Sequence, residues 1–253
     1  LDHIRRLKRF KSMEDEAALR LIAAGYFGLI THLDEQIGEV MEVAQDLNDT
    51  RMIYTSDHGE SFGHHGLFAK NHLLEPSVRV PFIATGPGIK AGHVSSQIVS
   101  GVDLFPTIVE GAGLPLKSED GDLPGVSLWP ALNGTDQIRT GFVEFHASAS
   151  RHGGFIWRDG NLKLIYHVEM PNQLFDLDAD LNEAHDLIAS GEANGRDKML
   201  ENALRDFIDP ESVDAQAKAD QKALVERHGG NTKVAAKKTL VYTPPPGETT
   251  KYG

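Results

Sequence analysis

The chain contains no cysteine, which excludes disulfides and thiolate-held metals and leaves nothing that calls for an oxidising compartment. The expected compartment therefore leans to the cytoplasm, with the periplasm left open. No run approaches the roughly 18 uninterrupted apolar residues of a membrane helix, so a soluble protein is expected. Basic residues are scarce, 25 Lys and Arg against 37 Asp and Glu, giving a formal net charge of −12. That balance repels phosphate backbones, and nucleic acid is not an expected partner. The densest basic cluster, Arg5, Arg6, Lys8, Arg9 and Lys11, reads as a solvated helix face or a linker. The opening "LDHIRRLKRF" has no initiator Met and no signal-peptide pattern of basic start plus apolar core, so a start upstream of Leu1 is expected. No internal repeat is found.

What is present is ordinary globular material: 253 residues, 40% hydrophobic and 25% charged, enough for one large domain or two small ones. From Met13 to Leu47, apolar residues at Leu19, Ile22, Tyr26, Ile30, Leu33, Ile37, Val40 and Met41 recur in steps of three and four. That period predicts an amphipathic helix, with a break expected near Gly25 or Gly28. Asn48 and Asp49 supply a turn, Met52 to Thr55 reads as a short buried strand, and Gly59 to Val80 as a long loop of the kind that carries function. Pro81 to Thr85 is the next strand, and Asp103 is placed to cap a helix running to about Glu110 or Ala112. After about Asn133 the character changes. Gly141 to His146 is strand-like, Phe155 to Arg158 and Leu162 to Tyr166 read as a hairpin, and helices follow over about Gly195 to Ile208 and Pro210 to Arg227. The tail "KKTLVYTPPPGETTKYG" is extended, and such a segment repays its ordering only by docking, which predicts a homo-oligomer.

The chemistry concentrates in "MIYTSDHGESFGHHGLFAK", Met52 to Lys70. Asp57 and His58 follow a strand end, where α/β sheets collect ligands. A carboxylate supplies charge and a neutral imidazole a directed lone pair, a pair suited to a divalent cation. Successive strand side chains point to opposite faces, so both reach one ion only if the backbone turns, and Gly59 permits that turn. His64, His65 and His72 stand near, and Lys70 offers positive charge to an anion. The competing reading makes Asp57 a turn cap and the histidines surface residues of a polar loop. Glu75 and Arg79 read as a loop-closing ion pair. Glu144 and His146, two apart on a strand, share one face and either line the same pocket or lie at an exposed edge.

The stretch "YTSDHGESFGHHGLFAKNHLLEPSVRVPFIATGPG" resembles the sulfatase branch of the alkaline phosphatase superfamily. Its members carry Thr/Ser-Asp-His/Asn-Gly-Glu/Asp, then Gly-x-His-Gly-Leu, a Lys, and Glu-x-x-x-Arg-Val-Pro. The likeness continues through "LITHLDEQIGEVM", "GVDLFPTIVEGAGL", "WRDGNLKLIYH" and "QLFDLDADLNEAHDL", covering about Ala24 to Leu187. "VEFHA" and "VYTPPPGE" look most like choline-sulfatase-type sequences. The resemblance implies an α/β fold: the C-terminal half of an alkaline-phosphatase-like sandwich, a central mixed sheet flanked by helices, in residues 1–135. A small antiparallel β subdomain with C-terminal helices is expected in residues 136–253. It implies Asp57 and His58 as ligands of one divalent cation, Ca²⁺ or Mn²⁺, with His58 shifting preference toward Mn²⁺. Lys70 matches the lysine on the sulfate. His64 is taken as the regular family histidine and proton donor, and His65 and His146 as substrate contacts. The implied substrate is a small sulfate or phosphate ester, and the alternatives are a phosphodiesterase or phosphonate monoester hydrolase, or a non-catalytic assembly module.

The family nucleophile lies in Cys/Ser-x-Pro-x-Arg, which does not occur in this sequence. Two ligands also fall short of the six or so that hard divalent ions take. The expectation is therefore a chain that is inactive alone and is completed by the N-terminal half of the catalytic domain.

Overall fold

The computed structural model describes residues 15–44, 49–147 and 150–236. The basic cluster from Arg5 to Lys11, and the tail from Leu240 on which the homo-oligomer expectation rests, lie outside the described residues.

Helix α1, Glu16–Ala44, runs unbroken. The break expected at Gly25 or Gly28 is absent. An isolated glycine costs a helix only about 1 kcal/mol, too little to interrupt 29 residues of continuous hydrogen bonding. None of its residues is buried. Leu21, Phe27, Leu29 and Val43 are each more than three-fifths exposed, while Tyr26 stacks on Phe62 with centroids 5.0 Å apart.

Strand β1, Met52–Thr55, pairs antiparallel with β2, Phe82–Thr85, Met52 facing Thr85 and Thr55 facing Phe82. The loop between them holds a tight turn at His64–Gly66 and the short helix α2, Glu75–Val78. Helices α3, Leu104–Gly111, and α4, Trp129–Leu132, follow. Asp103 does not cap α3 with its side chain. Its fully buried carboxylate accepts from Ser100 N at 2.9 Å, Val126 N at 3.0 Å and both arms of the Arg139 guanidinium at 2.8 and 3.1 Å. A buried carboxylate must fill its acceptor positions, and here the local Ser100 N–H, in a capping box at the turn before α3, is joined by the long-range donors Val126 and Arg139.

A second sheet comprises β3, Thr140–Phe145, β4, Gly154–Asp159, β5, Leu162–His167, and β6, Gln173–Asp176, antiparallel in that order. Gly160 closes the β4–β5 hairpin at φ 56°, the left-handed angle that the first residue of a two-residue hairpin loop requires. Alternation divides the apolar side chains between two faces. Phe155, Trp157, Leu164, Tyr166 and Leu174 cluster with Leu200 and Leu204 of α5, Arg196–Phe207. Ile156, Ile165 and Phe175 cluster with Leu67, Leu73 and Leu74, which come from the loop between β1 and β2. Each large apolar side chain so buried contributes about 1.5–3 kcal/mol. Helix α6, Pro210–Arg227, is capped by Asp209, whose carboxylate accepts from Ser212 N at 3.2 Å, and α7, Gly230–Ala236, ends the described chain. The expected small antiparallel subdomain with C-terminal helices is thus present. Among the described residues no helix is long and apolar enough to cross a membrane.

Candidate active site

The chain leaves β1 at Ser56, and Asp57 and His58 then point together rather than to opposite faces. Asp57 Oδ1 accepts from His58 N at 3.0 Å, and its Oδ2 lies 3.3 Å from His58 Nε2. Gly59 serves a different purpose from the one expected. Its φ is not positive, but a Cβ there would lie 2.0 Å from Pro76 O, and its N–H donates to Ser77 O at 2.8 Å. Glycine is needed so that the segment following β1 can lie directly on α2.

His58 Nδ1 sits 2.9 Å from Gly59 O. A carbonyl can only accept, so Nδ1 carries the proton and Nε2 presents its lone pair. The Lys70 ammonium meets that lone pair. Asp57, His58 and Lys70 are therefore brought together, with the Asp57 side chain 84% exposed. The oxygen and nitrogen donors fit one flank of a divalent cation, and the ammonium already placed there is itself a cation. Among the described residues no group of three or more His, Asp or Glu gathers around a metal position, so the fit extends to two ligands.

His64 and His65 are in edge-to-face contact, centroids 4.2 Å apart, but their surroundings differ. His65, at φ 51°, places Nε2 2.9 Å from Asn182 O, tying the loop to the turn after β6. His64 Nε2 is buried with no hydrogen-bond partner among the described residues. Counted from Gly63, the histidine of the Gly-x-His-Gly-Leu pattern is His65, which corrects the assignment of that family position to His64.

His146 is not brought to this cluster. Alternation places it on the α5 and α6 side of the sheet, edge-on to Phe155 at 5.5 Å, with Nδ1 3.4 Å from Asp214 Oδ1 of α6. Leu67, Leu73 and Leu74 of the motif loop cover the opposite side. Glu144 is exposed.

The ion pair expected between Glu75 and Arg79 is also replaced. Glu75 Oε1 accepts from Lys163 Nζ at 2.8 Å, and Glu183 Oε1 accepts from the same ammonium at 2.7 Å. Arg79 follows α2 in extended conformation, its N–H donating to Glu75 O at 2.8 Å, and burial of Glu75 beside Lys163 decides the carboxylate's partner.

His72 is buried, its Nε2 against Ser61 Oγ and its Nδ1 accepting from Leu74 N at 3.2 Å. Burial, assisted by the positive charge of Lys163, lowers its pKa from 6.5 to about 4. An unfolded histidine takes up its proton first as pH falls, so the stability that neutral His72 contributes is complete above about pH 6.5 and drains away toward pH 4. The melting temperature of the full-length protein is expected to fall across that window, and to fall less in His72→Asn. Equal slopes in melts at pH 7.0, 6.0 and 5.0 would refute the assignment.

Comparison with known proteins bears on this geometry. The family described as Sulfatase matches residues 6–114, and the one described as N-sulphoglucosamine sulphohydrolase, C-terminal, matches residues 63–209. A choline-sulfatase of Rhizobium meliloti (strain 1021) is 35% identical over 214 residues, covering 81% of this chain and 41% of that protein. Arylsulfatase K of Danio rerio is 32% identical over 210 residues, covering 78% of this chain and 39% of that protein. The crystal structure of the phosphonate monoester hydrolase of Agrobacterium radiobacter superposes with a TM-score of 0.65 at 24% identity, covering 88% of this chain and 45% of that one. The last likeness speaks to fold. The chain spans about two-fifths of the length of these curated relatives.

Proposed function

This chain belongs to the sulfatase family, and from that premise we propose that the full-length protein hydrolyses a small sulfate ester, with these residues forming the cation- and anion-binding side of the site. The observation that carries the reading is the convergence of Asp57, His58 and Lys70 at the end of β1. Asp57 and His58 would hold one divalent cation, Ca²⁺ or Mn²⁺, which when bound supplies positive charge against the ester oxygens. Lys70 binds the ester anion and meets charge as it develops. Protonation of the leaving group is assigned to His64, whose Nε2 is buried without a hydrogen-bond partner among the described residues and would have to be uncovered for the substrate, whereas His65 holds the loop. The nucleophile is assigned to a part of the full-length protein outside these 253 residues. The exposed apolar stripe of α1, with Ile83 of β2 and Ile108 of α3, supports a large partner surface of that kind.

The runner-up is a phosphodiesterase or phosphonate monoester hydrolase, favoured by an imidazole at position 58 and by the fold-level likeness to such an enzyme. One assay series separates the readings: the full-length protein and the present chain, each with Ca²⁺ or Mn²⁺, on aryl and choline sulfates, phosphate diesters and phosphonate monoesters. Sulfate release by the full-length protein alone is expected, and His64→Ala should suffer most on esters with poor leaving groups. Faster turnover of phosphate diesters would reverse the ranking. No hydrolysis of any class would leave the assembly module.

A further inference from the structure

Three residues other than glycine in the motif loop take left-handed backbone angles: Phe62 at φ 43°, His65 at 51° and Ala69 at 68°. The left-handed conformation costs an ordinary L residue about 1–2 kcal/mol, and it persists where surroundings over-determine it. A single oxygen meets two of the three. Glu60 Oε1 accepts from Phe62 N at 3.1 Å and from Ala69 N at 2.6 Å, so the loop is drawn closed across its span. Ser61 adds its backbone N–H to Ala69 O at 3.1 Å and its hydroxyl to the same carbonyl at 2.6 Å. The next residue is Lys70, whose own carbonyl accepts from His72 N at 2.9 Å and from the Ser77 hydroxyl.

We propose that Glu60 is a positioning residue for Lys70: its carboxylate oxygen fixes the strained Ala69 backbone and thereby the root from which the lysine reaches the substrate anion. The inference rests on the anion-binding role of Lys70 given above. Lys70 is long and exposed, and its ammonium reaches His58 Nε2 from a flexible stem, so its direction depends on how its backbone is held as well as on that contact. Asp57 and His58 are anchored through the Gly59 N–H on Ser77 O and not through Glu60, although the Ser77 hydroxyl also reaches Lys70 O. Loss of the clamp therefore loosens the lysine relative to a fixed metal side, and displacements near 1 Å can cost about a hundredfold in rate.

The test is a cycle in the full-length enzyme with Glu60→Ala, Glu60→Gln, Lys70→Ala and the Glu60→Ala/Lys70→Ala double variant. Activity is normalised to folded protein. Glu60→Ala is expected to lower kcat/KM by about tenfold to a hundredfold, raising KM as well as lowering kcat, whereas mere loss of folded enzyme leaves KM unchanged. Glu60→Gln should stay within about threefold of wild type, because one amide oxygen can accept both N–H groups. In the Lys70→Ala background, Glu60→Ala should cost less than about threefold, the non-additivity expected of residues that act as one unit. An unchanged KM in Glu60→Ala, a full loss in the Lys70→Ala background, or a Gln variant as impaired as Ala would each overturn the proposal. If the enzyme proves to be a phosphodiesterase, the same cycle run on a phosphate diester still decides the role of Glu60, so the two readings fail separately.

Discussion

Lys163→Met in the full-length protein is expected to lose about 3–5 kcal/mol of folding stability, the usual cost of stripping one partner from a buried ion pair. Lys163 is 1% exposed and lies on β5, on the face turned toward the motif loop. Its ammonium is shared between Glu75 and Glu183, whose side chains are 8% and 0% exposed, and Glu183 Oε2 also accepts from Glu75 N at 2.6 Å. Methionine fills nearly the same volume, so the loss measures charge rather than a cavity. Two carboxylates then remain side by side without a counter-ion. Adding Glu75→Gln to Lys163→Met should recover part of the loss, because the remaining anion no longer faces a like charge. Chemical denaturation of the three proteins checks both statements. A loss below about 1 kcal/mol for the single variant, the range of a solvated surface pair, would refute the buried-cluster account.

The second large effect is expected at Asp57. Asp57→Ala should lower kcat/KM for the sulfate ester at least about a thousandfold, equivalent to about 4 kcal/mol of transition-state stabilisation, while leaving the melting temperature of the metal-free protein nearly unchanged. The side chain is exposed, so little packing is lost. Its removal leaves His58 as a single neutral donor where a carboxylate and an imidazole stood together, and divalent cations depend on that negative charge. Metal content after gel filtration should fall in parallel with activity, and raised metal concentration should restore part of both. Full retention of metal and turnover in Asp57→Ala would sink the assignment.

Local pattern carried much of this reading. The three- and four-step spacing from Leu19 to Met41 and the two-residue turn at Gly160 are governed by neighbours in the chain, and α1 and the β4–β5 hairpin appear where those signals lie. The position of Asp57 and His58 just past a strand end was legible because a strand, a turn and a polar loop follow in order, whereas the roles proposed for them and for Lys70 rest on the family resemblance. The misses share one cause. Glu75 finds Lys163, 88 positions away, and Asp103 finds Arg139, 36 away. Burial decides those partners, and no spacing rule within a helix turn can point to them. For His146, strand alternation correctly pairs it with Glu144 on one face, but which face meets the motif loop depends on sheet packing, and that is a tertiary property. Glu60 was visible only as the acidic residue that ends the Thr/Ser-Asp-His/Asn-Gly-Glu/Asp pattern, and its contacts to Phe62 and Ala69 come from a loop closure that no local spacing shows.

The two-sided packing of the β3–β6 sheet bears on how this protein could be recombined with its relatives. One face is covered by Leu67, Leu73 and Leu74, residues that precede the sheet by roughly seventy positions or more. A chimera that exchanges only the contiguous segment after Asn133 would set a foreign sheet against a resident loop, mismatching an apolar seam and dividing the Lys163, Glu75 and Glu183 cluster between two parents. The heritable unit of exchange is discontinuous: the loop from Glu60 to Val78 has to travel with the sheet it underlies.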